Sequence, residues 1–392
     1  MSYRVSMRLS QAVAFLFSLI GLLILAPSVG WLQQSSAPPT GPHHEPTGLV
    51  PHAIAVGDFN GDGVPDIVVP AAAERKVTVL LSDGKGGVAA NHAYAAGIGP
   101  SWVEVGDWNG DGKLDFVTAN TGGGSLTLYF GDETGKFTGP QEIPGIHGPA
   151  SVVAIDLNKD GRVDLAVVQA RESRLVILEN LGGKFKVSGR YPVNRAPHIV
   201  TKLDLNRDRI PDLMVGSFQR HTLSVFLGKG DGSFHPAREV QVGRFPHYVA
   251  VGDWNRDGHQ DIAVVSAGED AVLIFQGDGT GSLNKIGTLP TGANPHGLAA
   301  ADFNGDGLMD LIVTARSAGE LAVFLGDGKG GFSPLPVIKT DQDIIALAAA
   351  DFDRDGKVDL GLVSASYHSV ILLRGDGKGG FSPFVGSTSQ KK

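Results

Sequence analysis

Short apolar runs alternate with polar turns from residue 50 onward, and none of them continues with the periodicity of a helix. One set of runs opens with aspartate, as in DIVVP (66–70), DFVTA (115–119) and DLAVV (164–168). Another set follows a polar turn, as in VTVLL (77–81) and LTLYF (126–130). Runs of this length, rich in β-branched and aromatic residues and bounded by Gly and Asp, predict short β-strands.

A nine-residue polar motif, first seen as DFNGDGVPD (58–66), recurs at a fixed interval between these runs. Its first aspartates are Asp58, Asp107, Asp156, Asp204, Asp253, Asp302 and Asp351, so the spacing is 49 residues five times and 48 once. A run precedes each motif, two follow it, and a Gly-rich hairpin such as GDGKGGF (326–332) leads into a fourth. Four strands per repeat and seven repeats predict an all-β, seven-bladed β-propeller of four-stranded antiparallel blades.

The repeat also sets the expected domain organisation. We expect residues 50–386 to form one propeller, followed by a C-terminal tail at 387–392, with blades at about 50–98, 99–147, 148–195, 196–244, 245–293, 294–342 and 343–386. Arg4 and Arg8 precede an apolar run, so residues 1–32 read as a signal peptide or as an uncleaved signal anchor. Residues 33–49 are Pro-rich and read as a linker. Either reading of the N-terminus predicts export, to a secreted, periplasmic or cell-surface location.

Composition narrows the possible functions. The chain has no cysteine, which excludes disulfides, zinc–thiolate sites and a thiol nucleophile. The formal net charge is −8 with no long basic run, so nucleic acid is not expected as a partner. The 55 glycines agree with many tight turns. We expect a monomer that meets a membrane only through its possible N-terminal anchor.

Oxygen-bearing side chains at alternate places of a tight loop are what a hard cation such as Ca²⁺ binds. We expect side-chain ligands from places 1, 3, 5 and 9 of each motif and a backbone carbonyl from place 7. The ligands expected after the first aspartates are Asn60, Asp62, Val64 and Asp66; Asn109, Asp111, Lys113 and Asp115; Asn158, Asp160, Arg162 and Asp164; Asn206, Asp208, Ile210 and Asp212; Asn255, Asp257, His259 and Asp261; Asn304, Asp306, Leu308 and Asp310; and Asp353, Asp355, Lys357 and Asp359. The alternative is a set of Asx-turn loops that cap their own backbone.

Two copies depart from the pattern. Arg209 replaces glycine at place 6 of the fourth motif, which strains the turn and puts a cation beside the site, so we expect weak binding or none there. Asp353 replaces asparagine at place 3 of the seventh motif, and its extra charge favours tighter binding. We therefore expect up to seven calcium ions.

The opposite end of each first strand carries a second repeated signal. A proline seven residues before the first aspartate is followed by histidine in four repeats, at His52, His198, His247 and His296. Symmetry places these imidazoles around the mouth of the central channel, where they either bind a ligand or second metal or only cap a strand. The turns on this face differ between repeats and are further candidates to grip a glycan or an acidic group, through Arg171, Arg174, Arg220, His221, Tyr367 and His368.

The motif D-x-[ND]-x-D-G-x-x-D at blade spacing resembles the FG-GAP/VCBS repeat family, the integrin-α-like β-propellers. The resemblance covers all seven repeats and implies a calcium loop in each blade. The family includes adhesion receptors, lectins, accessory domains of carbohydrate-active enzymes and many secreted proteins, so it does not by itself imply one activity.

Three functions remain open. The first is a non-catalytic, calcium-stabilised extracellular binding, adhesion or scaffold module for a protein or glycan. The second is a carbohydrate-active lyase or hydrolase that uses channel-mouth side chains, although no Ser/His/Asp spacing typical of a hydrolase appears. The third is a lectin, for which the aromatic content of 7% offers few stacking platforms.

Overall fold

A computed structural model of the chain describes residues 44–341 and 343–384, and it confirms the seven-bladed β-propeller. The predicted export segment, most of the linker and the C-terminal tail lie outside the described residues. No helix in the described part of the chain is long and apolar enough to cross a membrane. A 3-10 turn at Ala72–Glu74 joins two strands of the first blade.

Each blade is an antiparallel sheet whose strands follow chain order outward from the centre. Numbered in chain order, the innermost strands are β2 Ala55–Gly57, β6 Pro100–Gly106, β10 Pro149–Ile155, β14 Pro197–Leu203, β18 Pro246–Gly252, β22 Pro295–Ala301 and β27 Ile344–Ala350. The second strands are β3 Asp66–Ala71, β7 Asp115–Asn120, β11 Asp164–Gln169, β15 Asp212–Ser217, β19 Asp261–Ser266, β23 Asp310–Ala315 and β28 Asp359–Ser364.

The third strands are β4 Lys76–Ser82, β8 Ser125–Gly131, β12 Arg174–Asn180, β16 Thr222–Phe226, β20 Ala271–Gly277, β24 Glu320–Gly326 and β29 Ser369–Gly375. The outermost strands are β5 Val88–Ala95, β9 Phe137–Ile143, β13 Phe185–Pro192, β17 Arg238–Gln241 and β21 Leu283–Pro290, then β25 Phe332–Pro334 with β26 Ile338–Lys339, and β30 Phe381–Pro383 with β1 His44–Pro46. Every second strand is buried along its whole length, as expected of a strand covered on both faces.

An apolar cluster fills the space between each blade and the next. The cluster between the second and third blades joins Val117 and Leu128 to Leu165 and Val176. The seventh and first blades are joined in the same way, through a cluster that contains Phe352 and Ile67. Because every interface has such a core, the ring is closed by hydrophobic contact between neighbouring blades.

The ring is also closed by a strand that the sequence places in the linker. Residues 44–46 form β1 and pair with β29 of the last blade, with His44 opposite Ile371 and Pro46 opposite Ser369. The linker interpretation is therefore wrong for these three residues. β30 covers the other half of the same edge, with Leu373 opposite Pro383, so both ends of the propeller chain share one outer strand position.

Candidate functional site

The seven motifs form loops between first and second strands, all on one face of the ring, and each loop is anchored at place 2. That side chain is buried in the core between its own blade and the next. The anchors are Phe59, Trp108, Leu157, Leu205, Trp254, Phe303 and Phe352. Each loop is therefore fixed at an interface between two blades.

Within a loop, the oxygens of places 1, 3 and 5 converge through hydrogen bonds from the loop backbone. In the first loop the amide of Asp62 donates to Asp58 Oδ1 at 3.1 Å and to Asn60 Oδ1 at 3.0 Å. The amide of Gly63 donates to Asp58 Oδ2 at 2.8 Å, and that of Val64 donates to Asp62 Oδ1 at 2.7 Å. The fourth and seventh loops repeat this pattern. The Asx-turn bonds of the alternative interpretation are thus present, and they hold the same oxygens that a cation would bind.

The aspartate at place 9 is fully buried and ties the loop to the sheet. Asp66 accepts the amide of Phe59 on Oδ2 at 2.9 Å and the amide of Ser82 on Oδ1 at 2.8 Å. Burial raises the pKa of this carboxyl in all seven loops, and to about 6 at Asp66, Asp212 and Asp359. A cation nearby would compensate this desolvation.

Two places in every loop have a left-handed backbone, and the sequence indicates only one of them. Place 6 is glycine except in the fourth loop, where Arg209 has φ 60° and donates its amide to Asp204 Oδ2 as the glycines do. Place 4 also has positive φ in all seven loops, at Gly61, Gly110, Lys159, Arg207, Arg256, Gly305 and Arg354. The fourth loop therefore has two non-glycine residues in this region.

The seventh loop has four aspartates, one more than each of the other loops. Among the described residues, carboxylate oxygens of Asp351, Asp353 and Asp359 lie within 4.8 Å of one another. The Arg374 guanidinium reaches the same loop, 2.8 Å from Asp353 Oδ2 and 2.9 Å from Asp355 Oδ2. The arginine offsets part of the additional negative charge that the sequence predicts to tighten calcium binding.

Several of the Gly-rich hairpins join a loop to the neighbouring blade. The amide of Gly330 donates to the carbonyl of Trp254 at 3.0 Å, and that of Gly379 donates to the carbonyl of Phe303 at 3.0 Å. Across the ring closure, the amide of Gly86 donates to the carbonyl of Phe352 at 3.3 Å. The hairpins act here as β-turns that hold the loops in place.

On the opposite face, a β-bulge at the start of the innermost strand positions the histidines. Pro197 pairs with Ser217 and Ile199 with Gly216, which leaves His198 as the extra residue. A similar shift in the fifth blade spans His247, between Pro246 and Val249. Bulges re-aim side chains next to functional sites, because they interrupt the alternation of a strand.

The structure brings three of the predicted histidines into one row at the channel mouth. The ring centres of His198 and His247 are 5.5 Å apart, and those of His247 and His296 are 4.3 Å apart. Burial lowers the pKa of His198 to about 4, that of His296 to about 3, and that of His247 well below its usual value. His52 is exposed at the opening, yet the surrounding protein and then the Arg316 charge lower its pKa. All four imidazoles are neutral at pH 7.

An aromatic pair spans the channel one residue deeper along the strands. Trp102 of the second blade stacks on Tyr248 of the fifth, with ring centres 5.9 Å apart and an interplanar angle of 27°. Since these blades are not neighbours, the pair crosses the centre of the ring. We call the four imidazoles of His52, His198, His247 and His296 the histidine cup, and the Trp102–Tyr248 pair its floor. The floor was missed from the sequence because Trp102 and Tyr248 occupy a place that is Ala, Ser, Ile or Gly in the other blades.

Several of the other predicted ligand residues on this face contact the backbone or side chains of neighbouring segments. His221 Nδ1 accepts the amide of Phe245 at 3.2 Å, and His368 Nδ1 accepts the amide of Val50 at 3.4 Å. Tyr367 packs on His44 of β1 with ring centres 4.8 Å apart. Arg220 and Arg171 are exposed in their turns, and Arg174 lies 3.8 Å from Glu172.

The sequence family can now be compared with this geometry. The model of the FG-GAP-like repeat matches residues 58–118, 107–167, 204–264, 253–313 and 302–361, which together cover more than half of the chain. The chain belongs to the FG-GAP-like repeat family. The resemblance inferred from the motifs is thereby confirmed. No curated protein is significantly similar to the chain in sequence.

Solved structures share the fold of this FG-GAP-like propeller at low sequence identity. A chain of the BBS1N–ARL6DN complex is 14% identical, with a TM-score of 0.60 over 85% of this chain and 92% of that one. A lectin from Agrocybe aegerita that recognises non-reducing terminal N-acetylglucosamine is 19% identical, with a TM-score of 0.57 over 84% and 92%. Hydrazine synthase from Kuenenia stuttgartiensis is 13% identical, with a TM-score of 0.60 over 89% and 100%. These similarities support the fold alone, because they join proteins of different function.

Proposed function

We propose that the protein is an exported, non-catalytic binding module, stabilised by calcium on one face of the propeller and taking its ligand on the other. The observation that carries the proposal is the separation of two sites. The oxygen-rich loops lie at the interfaces between blades, where a bound ion stabilises the ring. The histidine cup lies at the opposite end of the innermost strands, on the face where the turns differ between blades.

The loops suit calcium because of their oxygen donors and their spacing. Oxygens on opposite sides of a bound calcium ion are about 5 Å apart, since each bond is about 2.4 Å long. The carboxylates of Asp351, Asp353 and Asp359 lie within 4.8 Å of one another. Places 1, 3, 5 and 9 of each motif would hold the ion together with the place 7 carbonyl. The ion's contribution would be charge neutralisation and cross-linking of the loop rather than chemistry on a substrate.

Thermal unfolding tests the calcium part of the proposal. A ligand that binds only the native state raises the melting temperature, by an amount that grows with its concentration. We expect 1 mM calcium to raise the melting temperature strongly over that of chelated protein. Each occupied site adds about 4 kcal/mol to the free energy of unfolding when the calcium concentration is 1,000 times the Kd. Magnesium at the same concentration is the control, because it demands octahedral geometry at shorter distances. Equal melting curves with calcium and with chelator would contradict the proposal.

The binding part is supported by the form of the cup. It combines polar imidazoles with an aromatic pair that crosses the ring, on the face where the turns differ in sequence from blade to blade. Structurally similar propellers include a lectin and a member of a protein–protein complex, so the fold accommodates both classes of ligand. We propose an extracellular protein or glycan as the ligand of a monomeric propeller.

A glycan array and a polysaccharide degradation assay, both in calcium, separate this function from the enzyme and lectin alternatives. A variant with His247→Ala and His296→Ala is compared with wild type and with His92→Ala, which changes a histidine on the outer strand β5. Binding that only the double variant loses supports a ligand site at the cup. Product formation that it loses would establish the enzyme instead, and binding that it retains would move the site elsewhere.

Export is proposed from the basic and apolar N-terminal segment. N-terminal sequencing of protein recovered from outside the cytoplasm tests it. A start beyond residue 26 indicates a cleaved signal peptide, whereas an intact N-terminus in the membrane fraction indicates an anchor. Protein found wholly in the cytoplasm would contradict export.

A further inference from the structure

We propose that the histidine cup binds one divalent transition-metal ion of the zinc type, with His247 and His296 as its first two ligands and His198 as the third. The inference goes beyond the proposed function, because it adds a bound metal ion to the cup that is proposed to take a protein or glycan. It shares with the proposed function only the requirement that the ring is closed. None of the three histidines belongs to a calcium loop, so the two proposals can fail separately.

The spacing of the rings fits shared coordination. The centres of two imidazoles bound to one tetrahedral zinc ion lie about 5 Å apart, given a zinc–nitrogen bond of about 2.0 Å. The observed separations are 4.3 Å for His247 and His296 and 5.5 Å for His198 and His247. The three rings do not yet bring three nitrogens within 4.8 Å of one another, so binding requires a rotation of the His198 side chain toward the pair.

His296 already has the hydrogen bond that is typical of a metal ligand. Its Nδ1 lies 2.6 Å from the carbonyl oxygen of Ile345. A carbonyl only accepts, so Nδ1 carries the proton and the lone pair is on Nε2. Metal-binding histidines generally donate their second ring nitrogen in this way, which fixes the tautomer and the ring orientation.

His247 supplies an unsatisfied polar atom. It is 7% exposed, and its Nδ1 is buried without a hydrogen-bond partner. Its ring packs against Phe218 at 5.1 Å between centres, and Phe218 also contacts His198 at 6.4 Å. Leaving a buried nitrogen unpaired costs about 1–3 kcal/mol, and a metal ion in the row of rings would relieve that cost.

The charge around the cup favours a metal over an anion. The imidazoles are kept neutral by burial, which leaves lone pairs rather than positive charges in the cup. Arg316, whose charge contributes to the lowered pKa of His52, His247 and His296, is paired with Asp343. Three neutral imidazoles with an open fourth position form a recognised zinc-binding set.

Titration of the calcium-loaded protein with Co²⁺ alone tests the inference. Cobalt can replace zinc in such sites, and the strength of its visible absorption reports whether its coordination is tetrahedral. We expect one cobalt ion per chain with visible absorption bands, and at least tenfold weaker binding in His247→Phe and in His296→Ala. His247→Phe fills the space of the imidazole, so it guards against a loss of fold. The matched control is His92→Ala, which should bind cobalt like the wild type.

Calcium-dependent melting of each variant, measured in parallel, distinguishes the two proposals. Cobalt bound at the cup of a protein whose melting temperature ignores calcium would support the inference and contradict the calcium loops. A wild type that folds and responds to calcium but binds no cobalt would overturn the inference alone. Cobalt binding that both cup variants retain at full affinity would also overturn it, because the ion would then lie elsewhere.

Discussion

At the scale of single residues, the loops differ most at Arg209, which has φ 60° where the other loops have glycine. A left-handed conformation costs a residue with a Cβ about 1 kcal/mol relative to glycine. We predict that Arg209→Gly raises the free energy of unfolding by about 1 kcal/mol and increases the calcium stoichiometry from six to seven. Urea denaturation and isothermal titration calorimetry check the two parts.

Arg207→Gly is the matched control for this substitution. It relieves a φ of 60° at place 4 of the same loop but leaves Arg209 unchanged. Its calcium stoichiometry should stay at six. If the wild type already binds seven ions, the weakening assigned to Arg209 is wrong.

The buried place 9 aspartates would give the proposed calcium binding a pH dependence. Burial raises the pKa of Asp66, Asp212 and Asp359 from 3.8 to about 6 in the calcium-free protein. Their protonation therefore favours the calcium-free fold at low pH, and this contribution is lost as the pH rises through about 6. Calcium requires the ionised carboxylates, so its contribution changes in the opposite sense.

We predict that the calcium-induced rise in melting temperature shrinks as the pH falls from 7 to 5. Melting curves in calcium and in chelator, recorded at each pH, check this. The pKa values of His198 and His296, about 4 and about 3, keep these cup histidines neutral in the folded protein over this range. Their protonation on unfolding is the same in both samples, so it cancels in the difference. A calcium effect that stays constant down to pH 5 would show that these carboxylates do not bind the ion.

At the scale of elements, β1 couples the start of the described chain to the last blade. Besides its pairing with β29, the next residue Thr47 donates its amide to the carbonyl of His368 at 3.0 Å and accepts the Thr78 hydroxyl at 2.7 Å. The segment thus links the seventh blade to the first. Each such hydrogen bond contributes about 1 kcal/mol to stability.

We predict that a chain beginning at Val50 is less stable than one beginning at Gly41, by at least about 3 kcal/mol in free energy of unfolding, since it loses the β1–β29 ladder and the hydrogen bonds of Thr47. Urea denaturation measures this difference. Hydrogen exchange should accelerate at residues 369–371, which lie opposite β1, and not in the third blade. Equal stability of the two chains would mean that β30 alone secures the edge.

The sequence predicts the elements that each repeat builds for itself and misses contacts between distant repeats. The place 9 aspartate begins the second strand in all seven blades, as at Asp66 and Asp359, because its position is set by the motif. β1 has only three residues, HEP, and a partner about 325 residues away, so no local pattern reveals it. The Trp102–Tyr248 contact joins blades that are not neighbours and depends on ring closure.

The two candidate sites also differ in how far the sequence predicts them. The proposed calcium loops are local, so the oxygen atoms that would bind the ion can be listed from the motif spacing. The histidine cup depends on bulges that re-aim His198 and His247 and on ring diameter, and neither can be read from one repeat. The positive φ at place 4 could not be predicted from the sequence, because this place is glycine in some loops and a residue such as Lys159 or Arg207 in others.

At the scale of the whole molecule, the proposed calcium binding would reverse the sign of the net charge. The formal charge is −8, and seven calcium ions add 14, which gives −8 + 14 = +6. Six ions give +4. Removal of residues 1–32 takes away Arg4 and Arg8 and lowers these values by two, so the loaded protein remains positive.

We predict that the electrophoretic mobility of the protein at pH 7 reverses sign between chelator and saturating calcium. The reversal follows because the positive charge of the bound ions exceeds the net negative charge of the protein. Magnesium at equal ionic strength is the control, and it should leave the mobility negative if the loops select calcium. A mobility that stays negative in calcium would mean that fewer than four ions bind to the full chain, since four divalent ions bring −8 to zero. Most of the loops would then be hydrogen-bonded turns without a metal, and the stability of the ring would have to come from the cores between the blades.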